Sequence, residues 1–197
     1  MLAFVRPLVR AALPAVAGYA IGSFPTADLV SGRRRVDLRA VGDRNPGWWN
    51  ARQALGNRAA RPVLVGDIAK GMLAASVGRR VARHDQWWPP VLGGGAAMVG
   101  HAWPVFAGFR GGRAVATFGG VAGVLSPRSA ALAVATGLAV FGLRRSVAPA
   151  VQAGFVAFPF AQLVVDGPRR TAATGVLMSF VGLRFATATA AKRGAGQ

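Results

Sequence analysis

The 197-residue chain is 53% hydrophobic and only 15% charged, with a mean hydropathy of +0.39. A soluble domain typically carries about 25% charged residues, so this composition is typical of a membrane protein. The 24 Lys and Arg residues outnumber the six acids, which are all Asp, and the net charge is +18. The basic residues form short clusters between apolar segments, which favours lipid headgroups over nucleic acid as their partners.

The cysteine and histidine content limits the kinds of site that the chain can build. It has no Cys, which excludes disulfides and thiolate metal sites. It has two His, His84 and His101, and no Glu, so a metal cage of carboxylates and histidines is not expected. We therefore predict neither a metal nor another cofactor.

Seven apolar segments are candidates for membrane-spanning helices, which need roughly 17–25 residues. They cover residues 8–30, 62–77, 91–109, two short helices within 114–142, then 147–165 and 171–185. The basic, apolar N-terminus also has features of a cleaved signal peptide. A retained span is favoured because the apolar run continues to about residue 30. The fold prediction is an all-α, polytopic integral membrane bundle of about seven helices, some of them short, in a single domain over residues 1–197.

The basic residues also predict an orientation in the cell membrane. Fifteen of them lie on one predicted side and eight on the other, with Lys70 inside a span. The positive-inside rule places the richer side in the cytoplasm. The N-terminus is then outside, and the C-terminus faces the cytoplasm together with residues 31–61 and 110–113.

Three polar segments stand out against this apolar background. Residues 42–50 (GDRNPGWWN) form a Gly- and Pro-broken loop in which Arg44, Asn45 and Asn50 offer hydrogen-bond donors. A simpler interpretation is an interfacial loop anchored at headgroup depth by its two Trp residues. Asp67 and Lys70 stand three apart inside a span, where charges are costly and should pair or face a polar cavity. Both a structural pair and a part of a site remain open.

The third segment is residues 100–117 (GHAWPVFAGFRGGRAVAT), in which two arginines flank a Gly-Gly turn before a helix. Backbone N–H groups at such a position can bind an anion, and Arg adds bidentate contacts to phosphate. A plain cytoplasmic turn would show the same residues. The spacing alone is therefore a weak indication.

Taken together, the order and spacing of the three segments resemble the acyl-phosphate:glycerol-3-phosphate acyltransferase family, a group of small polytopic bacterial enzymes. The resemblance runs from about residue 21 to residue 145 and is most specific over residues 100–117. It implies transfer of a fatty acyl group from acyl-phosphate to the 1-hydroxyl of glycerol 3-phosphate, giving lysophosphatidate and phosphate in phospholipid biosynthesis. The implied partners are these two substrates and membrane lipid.

The resemblance also implies roles for individual residues. Phosphate would be bound by Arg110, Gly111, Gly112 and Arg113, with help from Arg44 and Arg52. Asn45 and Asn50 would act in catalysis by orienting phosphate or carbonyl oxygens. Asp67, Lys70 and His101 would support the site.

Several positions depart from the family pattern. Asp43 stands where the family has a serine, and Trp49 where it has a threonine. The family's C-terminal His and Asn have no counterpart, and no His follows His101. A carboxylate at position 43 would be repelled by phosphate unless Arg44 neutralises it, but it is suited to act as a general base. Asp43 is therefore the predicted catalytic base.

These departures leave other functions open. One is an acyltransferase with a different acceptor. Another is a catalytically silent relative that binds phospholipid precursors or a membrane partner, and a third is a small transporter. Turnover with purified protein separates them.

Overall fold

The computed structural model describes residues 2–83 and 86–194, and the side chains of residues 12–83 and 86–188; His84 lies outside these residues. The described chain forms α-helices joined by loops and one short 3-10 turn, with no strand in it. The helices are α1 (Leu2–Gly22), α2 (Thr26–Gly32), α3 (Trp48–Leu55), α4 (Asn57–Val81), α5 (Trp88–Ala102), α6 (Val115–Leu125), α7 (Pro127–Arg144), α8 (Val147–Val165) and α9 (Pro168–Gly194).

Each of the seven predicted apolar segments overlaps a helix. The segment 147–165 coincides with α8, and the segment 114–142 is divided into α6 and α7 at Ser126, as predicted. Pro127 is the first residue of α7, a position where the missing N–H of proline costs no hydrogen bond. The prediction of an all-α chain is confirmed, but α3, which begins at Trp48 within the predicted loop 42–50, is a helix that the apolar segments do not predict.

Two predicted segments extend past the end of the helix that they overlap, whereas the segments 62–77 and 171–185 are shorter than α4 and α9. The segment 8–30 is not one helix: α1 ends at Gly22, and α2 begins at Thr26 after the N-cap Pro25, which has no N–H to continue the helix. The segment 91–109 ends early, because α5 stops at Ala102, two residues before Pro104. The residue before a proline is disfavoured in the α conformation, so the helix gives way to an irregular segment that belongs to the site.

Two helices in the described chain are long and apolar enough to cross a bilayer by composition and length, namely α8 and residues 168–188 of α9. Their outer faces carry exposed apolar side chains such as Val164, which is 87% exposed, and Val176, which is 71% exposed. An outer face with apolar side chains of this kind suits contact with lipid. Of the other helices, α5 and α6 are shorter, with 15 and 11 residues, and α4 carries several charged residues.

Helices α1, α4, α5 and α6 pack together, and α7 packs on α8. Small residues allow close approach at these contacts. A Cβ on Gly93 of α5 would lie 2.6 Å from the carbonyl oxygen of Ala74 in α4, so only glycine fits there.

A buried polar network joins α7, α8 and α9 at the end of the bundle away from the site. Gln162 of α8 is fully buried and donates from Nε2 to Ser126 Oγ at 2.6 Å, while its Oε1 accepts a hydrogen bond from Thr174 of α9. Ser129 donates to Asp166 at 2.6 Å in the same region. Each buried amide and hydroxyl group here has a partner, as burial in hydrocarbon requires.

Candidate active site

The segment between α2 and α3, residues 33–47, folds over the irregular segment that follows α5. Arg39 is the link between them: its Nη1 and Nη2 donate to the two carboxylate oxygens of Asp28 at 2.6 and 3.0 Å. Its Nε donates to the carbonyl oxygen of Arg110 at 2.9 Å. The hydrogen bonds to Asp28 raise the pKa of Arg39, so this guanidinium is a fixed, charged brace.

A second ion pair joins the same two segments. Arg113 Nη1 lies 2.8 Å from Asp43 Oδ2, and both side chains are only about one-fifth exposed. The other carboxylate oxygen of Asp43 accepts a hydrogen bond from the backbone N–H of Asn45 at 3.2 Å. The partner that neutralises Asp43 is thus Arg113 and not Arg44, which has a positive φ of 59° and lines a neighbouring cavity.

The Gly-Gly turn is held by its own amides. Gly111 N–H donates to the carbonyl oxygen of Ala102 at 3.1 Å, and Gly112 N–H donates to that of His101 at 3.0 Å. A Cβ on Gly112 would lie 2.3 Å from Nε2 of His101, so glycine is needed for this approach. Because both amides are engaged, phosphate binding by them stays a prediction that requires these hydrogen bonds to break. The turn instead presents the side chains of its arginines.

The predicted supporting residues form one buried cluster. Lys70 Nζ lies 2.9 Å from Asp67 Oδ1, and His101 Nδ1 lies 3.6 Å from the same oxygen. Lys70 also donates to the carbonyl oxygen of Phe24 at 3.4 Å. All three side chains are less than 10% exposed. The pair therefore belongs to a three-residue cluster in which His101 contacts the Gly-Gly turn, and a supporting role in the site stays a prediction.

Two predicted residues lie away from the cluster. Asn50 is fully buried and donates from Nδ2 to the carbonyl oxygens of Leu38 and Val41 at 2.7 and 3.0 Å, so it braces the loop from within. Arg52 Nε donates to Asn57 at 2.6 Å on the exposed side of α3. The direct contacts of these two residues with substrate stay predictions, and the geometry gives both a local structural role.

Two cavities open at this site. The outer cavity has a volume of about 530 Å³ and is lined by Arg39, Ala40, Arg44, Pro46, Trp103, Phe109, Arg110, Gly111 and Arg184. The inner pocket, about 20 Å³, has walls that include Asp67, Lys70, His101, Gly111 and Gly112. Gly111 belongs to both, so the turn separates a polar, open space from the buried cluster. In residues 2–83 and 86–194 no group of acidic, His or Cys side chains is arranged to hold a metal.

Arg39, Asp28 and Arg184 line the cavities of the candidate site, although no sequence motif identifies them. The sequence places Arg39 and Arg184 only among the basic residues of the predicted cytoplasmic side. Their presence on the same side as Arg110 and Arg113 was the available signal, since residues on one face of a bundle can converge. Asp28 lies inside the predicted first span, where an ionised side chain is costly and therefore indicates a functional site.

Residues 12–192 match the model of the family described as Glycerol-3-phosphate acyltransferase. The chain belongs to the glycerol-3-phosphate acyltransferase family. The glycerol-3-phosphate acyltransferase of Geobacillus kaustophilus (strain HTA426) is 38% identical over 174 residues, which cover 86% of each chain. Glycerol-3-phosphate acyltransferase 5 of Dehalococcoides mccartyi (strain ATCC BAA-2266 / KCTC 15142 / 195) is 38% identical over 151 residues. That match covers 74% of this chain but only 62% of the relative, so the chain spans less than two thirds of that relative's length.

Solved structures of the glycerol-3-phosphate acyltransferase family extend the comparison to the fold. The crystal structure of PlsY (YgiH), an integral membrane glycerol 3-phosphate acyltransferase, in its glycerol 3-phosphate form superposes with a TM-score of 0.79 at 29% identity. The match covers 88% of this chain and 87% of that chain. The lysophosphatidic acid form gives a TM-score of 0.76 at 27% identity. This likeness confirms the predicted all-α, polytopic membrane fold and the membrane location.

Proposed function

We propose that the chain, acting as a single domain, transfers a fatty acyl group from acyl-phosphate to the 1-hydroxyl of glycerol 3-phosphate. The products are lysophosphatidate and inorganic phosphate, an early step of phospholipid biosynthesis. The family and the named relatives support glycerol 3-phosphate as the acceptor. The acyl-phosphate donor is the finer part of the proposal and rests on the resemblance of the three motifs.

The observation that carries the proposal is the composition of the outer cavity. Four arginines line it together with the aromatic side chains of Trp103 and Phe109. Phosphate groups need charge-assisted hydrogen bonds, and a fatty acyl chain needs apolar surface. A cavity that offers both beside a lipid-facing bundle suits a reaction between a phosphorylated polyol and an acyl-phosphate.

The proposed reaction needs little besides orientation and one proton acceptor. The 1-hydroxyl oxygen attacks the acyl carbonyl carbon, the bond to phosphate breaks, and phosphate leaves with the electron pair. The Asp43 carboxylate takes the hydroxyl proton as general base. Its ion pair with Arg113 at 2.8 Å holds the carboxylate beside a cation, in the loop whose residues Ala40 and Arg44 line the outer cavity.

Turnover by purified protein tests the proposal directly. Vesicles containing the chain receive acyl-phosphate and radiolabelled glycerol 3-phosphate, and labelled lysophosphatidate is measured. Product above that of empty vesicles supports the proposal. Product only with another polyol phosphate points to a different acceptor. Binding of these substrates with no product from any acceptor makes the chain a silent relative.

Arg113 provides a sharper test of the site. We expect Arg113→Ala to weaken binding of glycerol 3-phosphate by about 1.5–3 kcal/mol, the range of a hydrogen bond to a charged group. Arg113→Lys keeps the charge but loses the planar fork, so its loss should be smaller. Calorimetric titration of detergent-purified protein measures both, with Arg61→Gln on an exposed part of α4 as control. An unchanged dissociation constant in folded Arg113→Ala contradicts the assignment.

The same proposal includes an orientation, with the N-terminus outside and the site facing the cytoplasm. The basic asymmetry of fifteen to eight supports it. Arg39 lies before α4 and Arg83 after it, so the two positions should label from opposite sides. The chain has no Cys, so Arg39→Cys and Arg83→Cys each give a single thiol for a membrane-impermeant reagent. Labelling of both from one side of sealed vesicles would rule out the proposed topology.

A further inference from the structure

Arg184 brings the C-terminal helix α9 into the site. Its guanidinium lies over the ring of Trp103, 4.8 Å from the centroid, and it lines the outer cavity. Its Nε and Nη2 donate to the carbonyl oxygen of Gly112 at 3.4 and 3.3 Å, and Nη2 lies 3.5 Å from that of Ala102. Stacking and hydrogen bonding together hold this flexible side chain in one plane.

Only part of the guanidinium is used by these contacts. Arginine carries five N–H donors in a fixed, planar arrangement. The two N–H groups of Nη1 take part in none of the hydrogen bonds formed within the described residues. One edge of Arg184 is thus anchored to the Gly-Gly turn, while two donors remain for a ligand.

The charges around the outer cavity are unequally neutralised. Arg39 is paired with Asp28, and Arg113, behind the turn, is paired with Asp43. For Arg44, Arg110 and Arg184, no ion pair with a carboxylate occurs in the described part of the chain. Three cations around one solvent-filled space repel each other, so the cavity favours an anion of high charge, such as a phosphate monoester.

We propose that Arg184 is a substrate-binding residue that holds a phosphate monoester in the outer cavity through the N–H groups of Nη1. The inference rests on the proposed function and adds to it a binding residue from α9. The positive charges of Arg110 and Arg44 attract the same anion, while Arg39 remains paired with Asp28. The phosphate comes either from glycerol 3-phosphate, which is water-soluble, or from a lipid-borne headgroup.

Titration of the detergent-purified full chain tests this inference in two arms, one with glycerol 3-phosphate and one with lysophosphatidate. Arg184→Gln retains a donor for the carbonyl of Gly112 but removes the charge. We expect it to weaken binding about 10- to 100-fold in at least one arm, as for loss of one charge-assisted contact. Arg184→Lys should lose less, and Arg61→Gln, which removes an exposed charge on the same predicted side, should change nothing.

The arm that changes identifies which phosphate Arg184 holds. An unfolding midpoint like that of the parent shows that the variant is folded with the turn intact. If Arg184→Gln does not fold, the binding measurement is made with Arg184→Lys. Parent-like binding of both ligands by a folded variant overturns the inference, as does a parent chain that binds neither ligand. A loss of binding without any turnover by the parent keeps the inference and rejects the proposed reaction. Turnover by the parent, with an unchanged affinity of Arg184→Gln for both ligands, supports the proposed reaction and rejects the inference.

Discussion

Asp43→Asn is expected to lower turnover by about 10²- to 10⁴-fold, the usual contribution of a general base. Asparagine has nearly the same shape, and its carbonyl oxygen can still accept from Arg113 or from the backbone N–H of Asn45. It cannot take a proton from the acceptor hydroxyl. The variant therefore removes the proposed chemistry while it leaves a neutral hydrogen-bonding group in place.

The experiment needs variants that separate a base from a structural anion. Asp43→Ser introduces the serine that the acyltransferase family has at this position. It should keep or raise activity if the carboxylate is not needed for catalysis. Asp37→Asn is the matched control, because Asp37 is an exposed carboxylate of the same loop that forms no ion pair with Arg113, and asparagine can still accept the hydrogen bond from the backbone N–H of Arg39. Initial rates in vesicles measure all three. Parent-like turnover of Asp43→Asn would remove Asp43 from the mechanism.

Lys70→Met is expected to cost about 3–5 kcal/mol of unfolding free energy, the range measured when one partner of a buried ion pair is deleted. Lys70 and Asp67 are 6% and 2% exposed, and their charged atoms are 2.9 Å apart. Methionine fills much of the same space without charge. The loss would therefore come from the Asp67 carboxylate, which would keep only His101, at 3.6 Å, as a partner in an apolar bundle.

A second variant and a control make this test specific. Asp67→Asn combined with Lys70→Met removes both charges and should recover much of the stability, because a neutral amide costs far less to bury. Arg170→Met breaks a pair in which Arg170 is 55% exposed and 3.4 Å from Asp166, so its effect should be within about 1 kcal/mol. Thermal unfolding in detergent measures each. Equal effects for Lys70→Met and Arg170→Met would contradict the buried-charge argument.

Apolar length and proline positions were sufficient to predict most of the helices. α8 was predicted to the residue, and Pro127 correctly divided α6 from α7, because a proline strongly constrains where a helix begins. The first and third segments were extended too far. In both segments, apolar residues continue past a proline. Proline has no N–H for the helical hydrogen bond, and a hydropathy profile does not include this effect.

The site was predictable by segment but not by side chain. The motif spacing identified the loop and turn that meet at Asp43 and Arg113. It did not show that Asn50 uses both of its amide hydrogens inside the loop, or that Gly111 and Gly112 have engaged amides. These contacts depend on residues that are distant in sequence, such as Leu38 and His101, so no local pattern specifies them.

The buried network at Gln162 has a consequence for how the chain is assembled during synthesis. α9 emerges after the helices that it packs against, and much of its surface is exposed and apolar, so lipid contact leaves its rotation and depth undetermined. Hydrogen bonds between helices in a bilayer contribute about 0.6 kcal/mol on average, too little to drive docking alone but enough to favour one register. We expect the contact of Thr174 with Gln162 to favour the observed register. Arg184 lies ten residues further along the same helix, so a hydroxyl at one end of the bundle would help to align a guanidinium with the Gly-Gly turn at the other end.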